Sequence, residues 1–165
     1  MLIFAIAIYA AAMTVANLTV AIFGPAISPI NAFILIGLDL ALRDWLHVRM
    51  KWWQMLALIA ATGLLTYALN PTAGMIAVAS ACAFSVAALV DWATFASLRG
   101  SWVFRSNGSN VAGAAVDSLI FPTIAFGALM PQIVLMQFVA KVAGGAIWSA
   151  VIAKYMRRQS PAGWQ

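Results

Sequence analysis

Six stretches of this chain are apolar over roughly 18 to 25 residues each, and this feature constrains the fold more than any other. A bilayer core of roughly 30 Å is crossed by about 20 apolar residues in a helix. Each stretch must be helical, because lipid offers no partner to an unsatisfied backbone polar group. The chain is only 8% charged, whereas a soluble domain is about one quarter charged. We therefore predict an all-α integral membrane protein with six transmembrane helices, over residues 2–23, 30–47, 52–69, 73–97, 110–128 and 131–154.

Short segments rich in glycine, proline and asparagine separate the six stretches, as expected for turns. The polar segment "LRGSWVFRSNGSN" (residues 98–110) is predicted to be the one long connection. The first stretch lacks the basic start and the small-residue cleavage site of a signal peptide, so we interpret it as a retained span. The sequence thus predicts one transmembrane domain over residues 1–158 and a cytoplasmic tail over residues 159–165.

Basic residues are segregated between the two predicted sides of the membrane. The first, third and fifth loops contain no lysine or arginine, and eight basic residues fall at the second loop, the fourth loop and the C-terminus. Cytoplasmic loops carry the excess of lysine and arginine, so both termini are predicted to be cytoplasmic, in a plasma (inner) membrane. Since the charges follow the loops, the pI of about 10.0 does not indicate a nucleic-acid partner. The eight residues are Arg43, Arg49, Lys51, Arg99, Arg105, Lys154, Arg157 and Arg158.

The composition argues against an enzyme. The chain has one cysteine, one histidine and no glutamate, so it offers neither a metal-ligand cluster nor a nucleophile with its base. It also lacks the glycine-rich phosphate loop with its lysine that ATP-hydrolysing proteins carry. We therefore predict no catalytic residue, no metal site and no cofactor.

Four charged residues fall away from the ends of the predicted spans: Asp39, Asp91, Asp117 and Lys141. A charge at the centre of a spanning helix costs about 2.5–3.5 kcal/mol on insertion scales, and such residues by default mark a substrate or ion pathway. Structural alternatives remain open for each of them. Asp39 and Arg43 can pair along one helix face, Asp117 and Lys141 can form a buried ion pair, and Asp91 can pair with Arg99. Asp44 is predicted to be interfacial.

Polar amides and small residues complete the pattern. Asn17 lies deep in the first span, Asn110 begins the fifth, and Gln137 precedes Lys141 by one turn. Such amides either join helices or line a ligand site. If the chain is divided into two halves of three spans, the central span of each half carries an Asn and an Asp, Asn31 and Asp39 in one half and Asn110 and Asp117 in the other. This match suggests a 3+3 inverted repeat, a plan common in transporters.

Five segments together resemble a known family. The segment "NVAGAAVDSLIFPTIAF" (residues 110–126), which contains Asp117, resembles one span of the VUT family, the queuosine precursor transporters. Three other segments resemble further spans of that family in the same order: "LDLALRDW" with Asp39 and Arg43, "AVASACAFSVAALVDWATFASLR" with Asp91, and "QFVAKVAGGAIWS" with Lys141. The segment "VAN", which ends at Asn17, resembles its first helix.

The resemblance implies import of 7-cyano-7-deazaguanine or 7-aminomethyl-7-deazaguanine, with the base and the lipid bilayer as partners. Asp117 would accept the two adjacent N–H donors of the guanine-like edge, as a carboxylate can. Asn17 or Asn110 would meet the O6 and N7 edge, an aromatic side chain would stack on the base, and Lys141 would keep the empty carboxylate ionised. Asp39, Arg43 and Asp91 would serve gating or proton coupling. The candidate aromatic residues are Phe121, Phe126 and Trp148.

Other functions compete with this prediction. The chain could be the substrate-capture subunit of an energy-coupling-factor vitamin importer, which would need a coupling ATPase complex docked on a face such as Ala12 and Ala16. It could also be a structural membrane subunit. The sequence leaves open whether the protein acts alone, as a homodimer or with such a complex.

Overall fold

Six long helices make up the protein in a computed structural model that describes residues 2–159. All six are long and apolar enough to cross a membrane, which confirms the predicted all-α, six-span fold. Most of the predicted tail, residues 159–165, lies outside the described residues. The helices are α1 (Leu2–Phe23), α2 (Pro25–His47), α3 (Trp52–Leu69), α4 (Pro71–Ser97), α5 (Trp102–Phe126) and α6 (Pro131–Gln159).

Helix α5 begins eight residues earlier than predicted, at Trp102 instead of Asn110. Ser101 caps it, since its hydroxyl accepts a hydrogen bond from the Phe104 backbone N–H at 3.3 Å. The prediction of a long polar connection was therefore wrong, and α4 and α5 are joined by residues 98–101 alone. The polar residues of this segment include Ser106 and Ser109, which are fully buried in the bundle.

Helix α2 is irregular where it meets α6. It starts with a 3₁₀ turn, continues as a short α-helix, and widens into a π-turn over Ala32–Ile36 before resuming as an α-helix at Gly37. A Cβ added to Gly144 of α6 would overlap the Phe33 carbonyl oxygen, so the two backbones touch. The Trp148 indole N–H donates to the Ile34 carbonyl at 3.1 Å, and this bond satisfies one carbonyl of the π-turn.

The two central helices of the suggested repeat have different neighbours. Helix α5 packs chiefly against α4, whereas α2 packs chiefly against α6 and less against α1. An inverted repeat would give α2 and α5 equivalent partners in their own halves. The repeat stays a prediction, and the packing adds no support to it.

The two ends of the bundle differ in charge. At one end, here called the basic end, the connections carry Arg49, Lys51 and Arg99, while the connections at the opposite end carry no charged residue. The sides expose large apolar residues such as Ile3, Leu64 and Leu135, as a lipid-facing surface does. Ala12 and Ala16 are buried against other helices of the same chain, so the predicted docking face at these two residues is wrong.

Candidate functional site

An ion pair between α5 and α6 lies at the centre of the bundle. Lys141 Nζ is 2.6 Å from Asp117 Oδ2, and both side chains are almost fully buried. The ammonium also donates to Gln137 Oε1 at 2.8 Å and to Ser118 Oγ at 3.1 Å. All three of its hydrogens therefore have an acceptor. These four residues, Asp117, Ser118, Gln137 and Lys141, are called the Lys141 cluster below.

The second oxygen of Asp117 is unused. Asp117 Oδ1 is buried and has no hydrogen-bond partner among the side chains and backbone of residues 2–159. A buried carboxylate oxygen without a donor is costly, and native proteins rarely leave one without a functional reason. Asp117 therefore presents an acceptor to whatever occupies the space beside it.

That space is a small cavity lined by α1, α2, α4, α5 and α6, and several of its lining side chains are polar. Its volume is about 20 Å³, which holds roughly one water molecule. A heterocyclic base fits only if side chains or helices move apart. The polar lining includes Asn17, Ser28, Asn31, Ser80, Asp117, Gln137 and Lys141.

The amides in this cavity are held in place by neighbours on other helices. Asn17 donates to Thr66 Oγ1 at 3.4 Å, across to α3. Asn31 donates to the Ala16 carbonyl and to Thr19 Oγ1, on α1. Gln137 donates to Ser28 Oγ at 3.1 Å and accepts from Lys141. The lining is thus pre-oriented, and each amide keeps hydrogen-bonding capacity to spare.

The aromatic candidates separate in space. Phe121 lines the cavity and packs edge-on against Phe126, with 6.1 Å between ring centroids. Trp148 instead binds the Ile34 carbonyl at the α2–α6 contact and does not line this cavity. Of the predicted residues, the fold gathers Asn17, Asp117, Phe121 and Lys141 at one place.

Asn110 lies elsewhere. It is two turns, or about 10.5 Å, from Asp117 along α5, in the direction of the basic end. Its side-chain N–H donates to Ser149 Oγ at 3.3 Å, and it does not line the cavity beside Asp117. Its predicted role in binding the base stays a prediction.

A second group of buried charges lies nearer the basic end. Arg43 Nη2 is 2.5 Å from Asp39 Oδ2, which confirms the pairing of these two residues along one helix face. The guanidinium carbon lies 5.6 Å from the centre of the Phe84 ring. The Tyr9 hydroxyl of α1 lies beside the pair. The Arg43 cluster, as the term is used below, consists of Asp39, Arg43, Asp44, Asp91, Ser106 and Ser109.

Asp44 is fully buried among the helices, three residues before the end of α2 at His47, and its predicted interfacial depth stays a prediction. Its carboxylate accepts hydrogen bonds from Ser106 Oγ at 2.5 Å and from Ser109 Oγ at 3.1 Å. Ser106 also lies 2.9 Å from Ser149 Oγ on α6. The extra first two turns of α5 cover Asp44, and the sequence carried a signal for this. Ser106 and Ser109 are spaced i, i+3, as expected for one polar face of a helix.

Asp91 of α4 is also buried, with 1% of its surface exposed. The suggested pairing with Arg99 does not occur. Its neighbours are instead Arg43, Asp44, Ser109 and Asp39. Neither of its carboxyl oxygens accepts a hydrogen bond from a donor in the described part of the chain. The predicted gating residues Asp39, Arg43 and Asp91 thus share one cluster, together with the unpredicted Asp44.

Comparison with known proteins gives one match. A model of the protein family described as "Putative vitamin uptake transporter" matches residues 1–154, which include every residue of both clusters. Neither curated proteins nor solved structures provide a match.

Proposed function

We propose that this chain, which belongs to the family of putative vitamin uptake transporters, imports a 7-deazaguanine base, either 7-cyano-7-deazaguanine or 7-aminomethyl-7-deazaguanine. The chain is a multi-pass membrane protein with six helices suited to span a bilayer. One observation carries the choice of ligand: Asp117 is buried and paired with Lys141, and it presents one carboxylate oxygen without a partner beside a small, mostly apolar cavity.

A guanine-like edge matches a carboxylate. The edge offers two adjacent donors, the N1–H and the 2-amino group, and one carboxylate can accept from both. Such charge-assisted pairs are roughly twice as strong as neutral hydrogen bonds. Oδ1 of Asp117 is free to accept, and Oδ2 can accept a second bond while it stays paired with Lys141. The base therefore binds without breaking the ion pair.

The remaining lining suits the rest of the base. The amides of Asn17, Asn31 and Gln137 supply donors and acceptors for the O6 and N7 edge. Phe121 supplies an apolar ring at the wall of the cavity. A ligand site of this kind is largely apolar, with a few placed polar groups that fix the orientation.

Lys141 sets the charge of the site. A lone carboxylate buried at this depth is costly. The ammonium, held by three acceptors, offsets that cost with an opposite charge 2.6 Å from the carboxylate. Removing Lys141 would therefore weaken ligand binding as well as the fold.

The charge asymmetry supports an orientation of the protein in the membrane. The basic end faces the cytoplasm if the chain obeys the positive-inside rule, in a plasma (inner) membrane. A base that reaches Asp117 from the opposite end then leaves past the Arg43 cluster. The small cavity beside Asp117 must enlarge on each passage, as alternating access requires.

Direct binding tests the proposal. Purified protein in detergent is titrated with 7-cyano-7-deazaguanine, with guanine and a panel of vitamins as competitors. We expect saturable binding by the wild type and a loss of at least tenfold in affinity for Asp117→Asn, because the amide replaces one acceptor with a donor. The matched control is Asp91→Asn, an equally buried carboxyl outside the cavity, which should keep the affinity. Gel filtration and thermal unfolding establish that each variant is folded.

Other outcomes assign other functions. A folded wild type that binds no deazapurine but binds a vitamin would contradict the ligand and favour the substrate-capture subunit of a vitamin importer. Co-purification with an ATPase would point the same way, although the complex would have to dock on a face other than Ala12 and Ala16. Equal loss of binding in Asp117→Asn and Asp91→Asn would remove Asp117 from the ligand site.

A further inference from the structure

We infer that Asp44 and Asp91 form a proton-binding pair, in which two buried carboxyl groups share one proton that is exchanged with water at the basic end. The pair is separate from the ligand site, and its link to transport rests on the proposed function. The existence of the proton site is independent of that function.

The first observation is the placement of the two carboxyls. Asp44 on α2 and Asp91 on α4 are 0% and 1% exposed and face adjacent turns of α5, where Ser109 donates to Asp44 and a Cβ added to Gly113 would lie 3.4 Å from Asp91 Oδ1. A hydrogen bond between two carboxyl groups requires a proton, since an ionised carboxylate only accepts. Two carboxylates close together at this depth repel each other too strongly for both to be ionised.

The second observation is the distribution of donors. Asp44 accepts from two serine hydroxyls, one of them at 2.5 Å, a length typical of a hydroxyl bound to an ionised carboxylate. Asp91 accepts from none of the donors in residues 2–159. A proton on Asp91, donated to Asp44, gives both groups a partner. The donors thus favour Asp91 as the holder of the shared proton.

The charges around the pair also favour a bound proton. The groups that face it are Asp39 and Arg43 from α2 and the two serines from α5. Behind them, Tyr9 of α1 lies beside Asp39 and Arg43, and Ser149 of α6 contacts Ser106. Arg43 is the one cation among them and already pairs with Asp39. One cation therefore faces three carboxyls, and the surplus of negative charge favours retention of a proton.

The third observation is a route for the proton. A cavity of about 30 Å³ is lined by both Arg43 and Asp91 and extends to His47 and Lys51 at the basic end. His47 lies against Trp92 and Phe95 at its mouth, with ring centroids 5.9 and 5.1 Å apart. Asp91 is therefore reached from the basic end, and the proton comes from water there and returns to it.

The consequence is mechanical. When the proton leaves, two negative charges remain close together between α2 and α4, which drives these helices apart at the basic end. When it returns, the hydrogen bond draws them together. Helices α2 and α4 also line the ligand cavity, so the protonation state is transmitted to the ligand site.

Infrared spectroscopy tests the pair without any ligand. The chain has only four side-chain carboxyls, so single variants Asp39→Asn, Asp44→Asn, Asp91→Asn and Asp117→Asn assign every one of them. The protein is measured at neutral pH in heavy water and in a detergent without ester groups. We expect the wild type to show the carbonyl stretch of one protonated carboxyl per chain. The band should be lost in Asp91→Asn and in Asp44→Asn. It should be retained in Asp117→Asn, because Asp117 pairs with Lys141 and is not part of the proton-binding pair.

The opposite results overturn the inference. Absence of the band in the wild type means that both carboxyls are ionised, and a sodium-dependent thermal stabilisation would then assign the pair to a metal cation. Persistence of the band in Asp44→Asn would show that burial alone protonates Asp91 and that it does not share its proton with Asp44. The wild-type measurement decides the first point even if a variant fails to fold.

Transport separates this inference from the proposed function. In vesicles of phosphatidylethanolamine and phosphatidylglycerol, uptake of 7-cyano-7-deazaguanine by the wild type should respond several-fold to an imposed pH gradient. Asp91→Asn should bind the base but lose that response. A protonated pair in a protein that binds no deazapurine would leave the proton site standing and refute the ligand. Ligand uptake indifferent to pH in both proteins would refute the coupling.

Discussion

The Lys141 cluster and the Arg43 cluster are both buried and both charged, but they differ in charge balance. The Lys141 cluster pairs one ammonium with one carboxylate, and two neutral oxygens complete the ammonium's partners. The Arg43 cluster sets one guanidinium against three carboxyls. The same bundle thus holds a balanced site about 12 Å, or eight residues of α5, from a site with surplus negative charge.

The difference indicates how each cluster can work. A balanced pair keeps its charges fixed, so it can offer a permanent acceptor to a ligand. A site with surplus negative charge is relieved by a proton, so its charge changes with conditions. Ligand recognition and proton exchange therefore need different clusters, and α2, α4, α5 and α6 connect the two.

Removal of the ammonium is expected to have the largest effect. Lys141→Met leaves Asp117 as an unpaired buried carboxylate and should reduce the free energy of unfolding by about 3–5 kcal/mol. Asp91→Asn should cost far less, because its amide can donate to Asp44 in place of the shared proton. Thermal and denaturant unfolding in detergent micelles measure both changes.

A double variant provides the control for this prediction. Asp117→Asn combined with Lys141→Met removes both charges and should be more stable than Lys141→Met alone. The comparison between the clusters breaks down if Asp91→Asn destabilises the protein as much as Lys141→Met. The balanced pair would then have no special dependence on its cation.

Most of the fold follows from the sequence because the spans are set by hydropathy alone. Five helices begin within five residues of the predicted starts, as α1 and α6 show. The exception is α5, where the first two helical turns, residues 102–109, were assigned to a loop because they include Arg105, Ser106, Asn107 and Ser109. Hydropathy reports contact with lipid, and these turns face other helices, so polarity there indicated burial within the bundle and not a loop.

The site was predictable in part. The two ion pairs follow from helical spacing and from the cost of lone charges in a membrane, and the structure contains both. The burial of Asp44 depends on the missed turns of α5, and the proximity of Asp44 to Asp91 depends on how α2 and α4 pack against α5. Tertiary contacts of this kind have no local sequence signal. The π-turn of α2 is another case, since it arises where Gly144 approaches Phe33.

The glycine contact between α2 and α6 is the second place to test. Gly144→Ala would drive a methyl group into the Phe33 carbonyl, and should cost about 3 kcal/mol, the upper end for overpacking, because backbone cannot move aside as a side chain does. Gly63→Ala is the matched control. Its new methyl group would meet Ala81 Cβ at 3.6 Å, an ordinary contact.

The two variants should therefore differ in stability, with only Gly144→Ala destabilised. Alanine in place of a helical glycine stabilises by up to about 1 kcal/mol where space allows, so Gly63→Ala should be neutral or stabilising. Thermal unfolding of the two variants side by side measures the difference. Equal effects would show that α2 and α6 can separate without cost, and the clusters would then be joined through α5 alone.

The smallest expected difference concerns one hydroxyl in each cluster. Ser106→Ala removes the 2.5 Å donor to Asp44, and Ser118→Ala removes one of three acceptors of Lys141. A hydrogen bond to a charged group contributes about 1.5–3 kcal/mol. Asp44 retains only Ser109 as a hydroxyl donor, whereas Lys141 retains Asp117 and Gln137. We therefore expect Ser106→Ala to lower the free energy of unfolding more than Ser118→Ala does.

The same two variants distinguish an electrostatic effect of the lost hydroxyl on the shared proton from a general loss of packing. Loss of the Ser106 hydroxyl makes Asp44 a poorer anion, so the shared proton is held more tightly and the infrared band of the protonated carboxyl should persist to higher pH. Ser118→Ala should leave that pH range unchanged, because its hydroxyl faces the other cluster. If the two variants instead shift the band alike, the clusters are electrostatically linked through α5. Surplus charge in one cluster would then be felt by the ligand site directly, with no movement of α2 and α4 needed to transmit it.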